Sequence, residues 1–185
     1  MMKKTLLFVT GNKNKLREVS KILGDKFEVV AHDIDLEEIQ GTMDEISIKK
    51  CQAAAEVVQA AVIVEDTSLC FEAFNGLPGA YVKWFLKEIG PKGLCDMLAA
   101  TENKKAYARC TFAYSGGPGE KVVLFTGITK GNIVEPRGPT NFGWDPIFQP
   151  NEFDQTYAEM STEVKNSISH RYKAAMQLQQ FLEKQ

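Results

Sequence analysis

Thr10-Gly11-Asn12-Lys13-Asn14-Lys15 is the first stretch of the sequence with the makings of a binding site. It sits where an apolar run, residues 6–9, gives way to a helical pattern. Backbone N–H groups at such a helix N-terminus point at whatever binds there, and the dipole favours an anion. A cation at that end costs about 0.3–1 kcal/mol unless an anion offsets it, so Lys13 and Lys15 suit a phosphate ligand. An ordinary capped turn would leave both solvated. The sequence has neither the G-x-x-x-x-G-K-[ST] loop nor G-x-G-x-x-G.

Carboxylates form the second group. Glu65-Asp66-Thr67-Ser68 is expected to end a buried strand over residues 61–65, and open α/β sheets gather ligands at such strand ends. Side chains alternate along a strand, so Glu65 and Asp66 reach one site together only through a turn. Glu37-Glu38 falls in an earlier loop, and Asp145 follows Trp144 in a stiff Gly/Pro setting. A few oxygen ligands supplemented by substrate phosphates suit Mg²⁺; any one of these acids could equally be a cap or a surface charge.

Cations and aromatics complete the inventory. Lys50 shares helical spacing with Ile46, Ala53 and Val57, which argues against simple solvation. Arg171 projects within about 40° of the stripe of Val164, Ile168, Ala175 and Leu182, where a guanidinium needs a partner. On one continuous helix Lys165 would stand about 140° from His170, too far apart to face one small ligand. Phe142-Gly143-Trp144-Asp145-Pro146 offers aromatics that could stack a base or simply fill a core. No G-x-S-x-G occurs and no Ser-His-Asp arrangement is legible.

The elements that must position these groups alternate between strand and helix. Residues 6–9 read as a strand and residues 12–23 as a helix stopped by Gly24, followed by a strand over 27–31. Thr42-Met-Asp-Glu45 has the capping-box form, and the helix it opens is expected to bury two faces. Residues 81–89 and 93–100 read as short helices split by Gly90-Pro91. Residues 106–114 and 122–128 read as a long hairpin, the core of a second lobe. A Gly/Pro-rich loop over 131–150 then leads to one final helix over 161–184. The expected fold is a single α/β domain, residues 1–185, with a mixed elongated central sheet and flanking helices forming two lobes around a substrate cleft.

Composition sets the limits. The 185 residues carry a formal charge of −2, so no global positive field gathers nucleic acid or an acidic membrane, and an anionic partner must be met locally. No apolar run reaches the length of a membrane span, about 18 residues. Cys51, Cys70, Cys95 and Cys110 form no CxxC pair, and with only His32 and His170 there is no Cys/His zinc pattern. Reduced thiols and a cytoplasmic location are expected.

Taken in order, the segments closely resemble the inosine triphosphate pyrophosphatase (Ham1-like) family of house-cleaning nucleoside triphosphate pyrophosphohydrolases, in its eukaryotic branch. The resemblance rests on Phe8-Val9-Thr10-Gly11-Asn12-x-x-Lys15, Ile34-Asp35-Leu36-x-Glu38-x-Gln40-Gly41, Asp44-Glu45-Ile46-Ser47 with Lys50, and Val64-Glu65-Asp66-Thr67. It continues through Gly76-Leu77-Pro78-Gly79 with Tyr81 and Lys83-Trp84-Phe85, then Phe142-Gly143-Trp144-Asp145-Pro146 and Lys165-Asn166-x-x-Ser169-His170-Arg171. Ala80, where this branch often has Pro, and Glu65, where bacterial members often have Asp, are the departures.

The resemblance implies a Mg²⁺-dependent homodimer, Mn²⁺ being a possible substitute, that hydrolyses ITP, dITP and XTP to the monophosphate and pyrophosphate. It implies Thr10, Gly11, Asn12, Lys13, Asn14 and Lys15 on the triphosphate, and Glu38 and Asp66 on the metal. Thr67, Lys50, Lys83 and Lys165 would also contact substrate. Phe142, Gly143, Trp144 and Asp145, with Ser169, His170 and Arg171, would hold the base, and Asp66, Glu65 and Lys15 would carry catalysis. Three other readings stand beside this one: a Maf-like pyrophosphatase of modified pyrimidine triphosphates, a non-catalytic nucleotide sensor, and a nucleic-acid module that the charge balance disfavours.

Overall fold

The computed structural model describes residues 3–185. Seven strands make one mixed sheet: β1 (Lys4–Val9), β2 (Phe27–His32), β3 (Val62–Phe71), β4 (Pro78–Gly79), β5 (Lys105–Ser115), β6 (Val123–Ile133) and β7 (Phe148–Pro150). Their order is β2-β1-β3-β5-β6-β7, with β4 on β3. β1 pairs in parallel with β2, Lys4 opposite Phe27 through Val9 opposite His32, and with β3 at Phe8 and Ile63. β6 and β7 are antiparallel, as are β3 and β4.

Among the described residues, five α-helices flank the sheet. α1 (Lys13–Leu23) starts on Asn12 and stops at Gly24. α2 (Met43–Val58) opens with the expected capping box: Glu45 N–H donates to Thr42 Oγ1, and Thr42 N–H donates to the Glu45 carboxylate. α3 (Val82–Asp96) is kinked at Gly90, whose φ of 67° belongs to the left-handed region open to glycine. α4 (Thr162–Ile168) and α5 (His170–Leu182) complete the chain. Among the described residues, no helix is long and apolar enough to cross a membrane. All four cysteines are free thiols.

The chain divides into two compact units. The first holds residues up to Asp66 with 110–127 and 171–185; the second holds 67–109 and 128–170; β3, β5 and β6 contribute to both. Strand alternation builds two cores in the first unit. Leu6, Phe8, Ile63 and Phe112 meet α1 and α5 through Val19, Leu23, Ala175 and Leu178. On the opposite face Val9, Val62, Val64 and Ala113 meet Cys51, Ala54 and Ala55 of α2. In the second unit Leu69, Phe71, Ala108 and Ile133 pack with Val82, Leu94, Trp144, Phe148 and Tyr157.

The structure revises five expectations. β3 does not end at Glu65 but continues to Phe71, because Leu69, Cys70 and Phe71 are as buried as its first residues. β5 and β6 are longer than expected and are shared between the units instead of forming a lobe of their own. The loop over 131–150 contains β7, whose apolar residues, Phe148 and Pro150, alternate only over three positions. α2 buries one face, not two: Ala53 is exposed and Val57 is 60% exposed. The single last helix is two, since Ser169 takes an extended backbone (φ −68°, ψ 158°) between α4 and α5, and Val164 faces solvent.

Candidate active site

In the first unit, the turn from β1 into α1 is built by its own polar side chains. Asn12 N–H donates to Thr10 Oγ1 at 3.1 Å, and the N–H groups of Asn14 and Lys15 donate to Asn12 Oδ1 at 3.0 Å each. A Cβ at Gly11 would lie 2.5 Å from Asp33 Oδ1, the end of an exposed side chain that would have to swing aside. Two of the amides that the sequence reading offered to an anion therefore serve the cap, leaving the dipole and exposed Lys13. Lys15 turns inward, with Nζ 2.7 Å from Glu65 Oε2 and 3.3 Å from the Glu65 carbonyl oxygen.

Because β3 runs on without a turn, Glu65 and Asp66 face opposite sides of the sheet, and the structure does not bring them together. Glu65 is 2% exposed and belongs to a buried charge network. Its Oε1 accepts from Cys110 Sγ at 3.0 Å and from Arg171 Nη2 at 3.3 Å, while Arg171 Nη1 donates to Glu18. Burial opposes the charge on Arg171, but Glu65 and Glu18 outweigh it and hold the guanidinium above its ordinary value. Burial, reinforced by Glu65, also pushes the Cys110 thiol well up.

Asp66 faces α2. Lys50 Nζ donates to its Oδ1 at 2.6 Å and Ser47 Oγ to its Oδ2 at 3.1 Å. Burial pulls the Lys50 ammonium down, yet Asp66, Glu65 and Glu38 together hold it above its ordinary value. Lys50 escapes solvation as expected, for a different reason. Ser47 and Ala54, three and four residues away, are the buried neighbours on its helix face, whereas Ala53 and Val57 are exposed. Glu38 is exposed and, with Asp66, acts on the same ammonium. Among the described residues no group of three or more His, Cys, Asp or Glu could hold a metal. Glu38 and Asp66 are nonetheless hard oxygen donors of the kind that Mg²⁺ accepts when water and substrate phosphates complete its shell.

The second unit holds the aromatic cluster. Lys165 is 5% exposed and donates to Asp145 Oδ2 at 2.5 Å, with Nζ 4.5 Å from the Phe142 ring centroid and 5.3 Å from that of Tyr157. The His170 ring stacks on Tyr157 at 5.7 Å with planes 16° apart. The break at Ser169 is what lets Lys165 and His170 share Tyr157, which one continuous helix would forbid. Trp144 is buried against Phe148, Tyr157 and His170, whereas Phe142 is only partly buried and Gly143 turns the chain with φ 54°. Thr67 is half-buried on β3, and Lys83 is exposed in the first turn of α3, 5.5 Å from the Trp84 ring.

A sequence model of the Ham1 family matches residues 6–181. The chain belongs to the Ham1 family. It is 57% identical over 97% of its length to the inosine triphosphate pyrophosphatase of Schizosaccharomyces pombe, covering 95% of that protein. The protein of the same name from Scheffersomyces stipitis is 54% identical, covering 96% of this chain and 97% of that one. Among solved structures, the Staphylococcus aureus Ham1 protein superposes with a TM-score of 0.84 at 33% identity, over 98% of this chain and 99% of its own. A HAM1 protein from Coxiella burnetii gives 0.87 at 26% identity, over 98% and 100%.

Sequence reasoning missed four residues that hold the predicted ones in place in this Ham1-family chain. Glu18 had a usable signal: it lies one helical turn from Lys15 and beside the buried Val19, an uncomfortable place for a lone acid. Ser47 had a weaker one, a hydroxyl on the small-residue face of α2. Tyr157 and Cys110 had none, since only the folded chain brings them to His170 and Glu65.

Proposed function

We propose that this chain hydrolyses ITP, dITP and XTP to the nucleoside monophosphate and pyrophosphate, clearing deaminated purines from the nucleotide pool, as a Mg²⁺-dependent cytoplasmic homodimer. The observation that supports it most is the end-to-end likeness to proteins named inosine triphosphate pyrophosphatase, with the Asp66 carboxyl held between Ser47 and Lys50.

The residues divide the work. A nucleoside triphosphate carries about four negative charges, and a chain of net charge −2 must oppose them with local cations. Lys13, Lys50 and the α1 dipole offer these in the first unit, and Lys83 in the second. Lys15, tied to Glu65, keeps the phosphate turn against β3. Glu38 and Asp66 would hold Mg²⁺, which when bound supplies charge neutralisation on the phosphate oxygens. The Asp66 carboxylate orients a water toward the α-phosphorus and takes its proton. As the new P–O bond forms, the bond from the α-phosphorus to the bridging oxygen breaks, and pyrophosphate leaves with that electron pair. Such transfer needs positioning and charge stabilisation more than a nucleophilic side chain.

Base recognition falls to the second unit. Partly buried Phe142, backed by the Lys165 ammonium, is the ring available for stacking; Trp144 is committed to the core. A hydrogen-bond donor facing purine O6 accepts a 6-keto base and leaves the 6-amino group of adenine facing a donor. Stacking on an aromatic ring is worth about 1–3 kcal/mol. Phe142→Ala is therefore expected to raise KM for ITP about ten-fold, with the melting temperature little changed; initial rates of pyrophosphate release check this, and an unchanged KM would remove Phe142 from the base site.

The bond cleaved is tested by hydrolysing ITP in H₂¹⁸O. The label is expected in the monophosphate and absent from the pyrophosphate. Label in inorganic phosphate, or in pyrophosphate, would contradict attack at the α-phosphorus.

A further inference from the structure

Ser47 is wholly buried near the start of α2, and its hydroxyl donates to Asp66 Oδ2. Lys50, three residues on, holds the other oxygen, Oδ1. Residues three apart share one helix face, so a single rigid element grips both oxygens of one carboxylate. The remaining buried residues of that face, Cys51, Ala54 and Ala55, pack β1 and β3 with no oxygen atom on their side chains. Alanine would suit the Ser47 position equally well as packing and better as a helix former. The hydroxyl therefore owes its place to the acceptor it reaches.

The two grips differ in kind. Lys50 is a flexible point charge on a four-carbon stem, and a triphosphate competes with Asp66 for it. Ser47 has one rotatable side-chain bond and no charge to be drawn away. We infer that Ser47 is a positioning residue for Asp66, keeping the carboxylate aimed while Lys50 turns to substrate. This rests on the proposed role of Asp66 in ITP hydrolysis, and it adds to the site a residue that the sequence left without a role.

The test is single-turnover hydrolysis of ITP with enzyme in excess, so that an inactive fraction does not alter the rate constant. Wild type, Ser47→Ala, Ser47→Thr, Asp66→Asn and the Ser47→Ala/Asp66→Asn double variant are compared. Loss of a group that orients a metal ligand or its equivalent costs about 10–100-fold, and Ser47→Ala is expected to slow the reaction by that much. Ser47→Thr, which keeps the hydroxyl, should recover most of the rate, and the double variant should run no slower than Asp66→Asn alone. The inference is overturned if Ser47→Ala stays within about two-fold of wild type, or if it slows Asp66→Asn by the same factor as wild type, since independent sites add. It is also overturned if Ser47→Thr is as slow as Ser47→Ala. A wild-type protein inert toward ITP refutes the activity itself, a different failure from an active enzyme indifferent to Ser47.

Discussion

Asp66→Asn is expected to lower the rate of ITP hydrolysis by about 10²–10⁴-fold at saturating Mg²⁺, the range that a general base contributes. The substitution keeps size and shape, so β3 and its neighbours stay in place. On the proposed mechanism it removes the atom that takes the proton, along with the partner that Lys50 meets at 2.6 Å. The Asp66–Lys50 pair is about one-fifth exposed on each side, so its loss is felt mainly at the site and little in the fold. Lys50→Met is the companion variant: it leaves the base intact and removes a phosphate cation, so its penalty should fall chiefly on KM. Near-native turnover by Asp66→Asn would show that another group takes the proton.

Arg171→Met is expected to lower stability by about 3–5 kcal/mol, the usual result of removing one partner from a buried ion group. At about 2–4 °C per kcal/mol for a chain of this size, the melting temperature should fall by some 6–20 °C. The guanidinium is 2% exposed, and its partners Glu18 and Glu65 are 4% and 2% exposed, so water cannot replace it. Both buried carboxylates would lose the guanidinium, with Lys15 left on Glu65. Neutralising one of them in the same chain, as Glu18→Gln with Arg171→Met, should therefore restore part of the loss. A melting temperature unmoved by Arg171→Met would mean that the network contributes nothing to folding. The expectation that Arg171 contacts the base has to be weighed against this geometry, in which two acids already hold it.

Local chemistry is what the sequence made legible. Asn12 as a cap, the Thr42–Glu45 box, the stop at Gly24 and the Gly90 kink depend on residues a few positions apart, and each lies where the pattern put it. The run from Glu65 through Ser68 misled because its polar residues look like the end of a strand. In the fold Glu65 and Ser68 are buried at 2% and 3%, and Glu65 finds its partners far along the chain, at Cys110 and Arg171. The break at Ser169 was hidden for a related reason. The apolar spacing of Val164, Ile168 and Ala175 runs through it unbroken, and serine is no helix breaker. The capped end of α4 becomes visible only where Thr129, on β6, donates to the Ile168 carbonyl. Residues suited to phosphate could thus be picked out by type. Which of them are held inward, as Lys15 and Lys165 are, depends on acids that no spacing rule connects to them.

This Ham1-family chain is proposed to release pyrophosphate from deaminated purine triphosphates and to spare the common ones. Pyrophosphate release from ITP, ATP and GTP, each with and without Mg²⁺, tests it directly. Mg²⁺-dependent release from ITP is expected and, because a site built to bond O6 leaves a buried donor unpaired against adenine, a kcat/KM for ATP lower by about 10⁴-fold. Equal turnover of ATP and ITP, or no release from ITP under any condition, would contradict it.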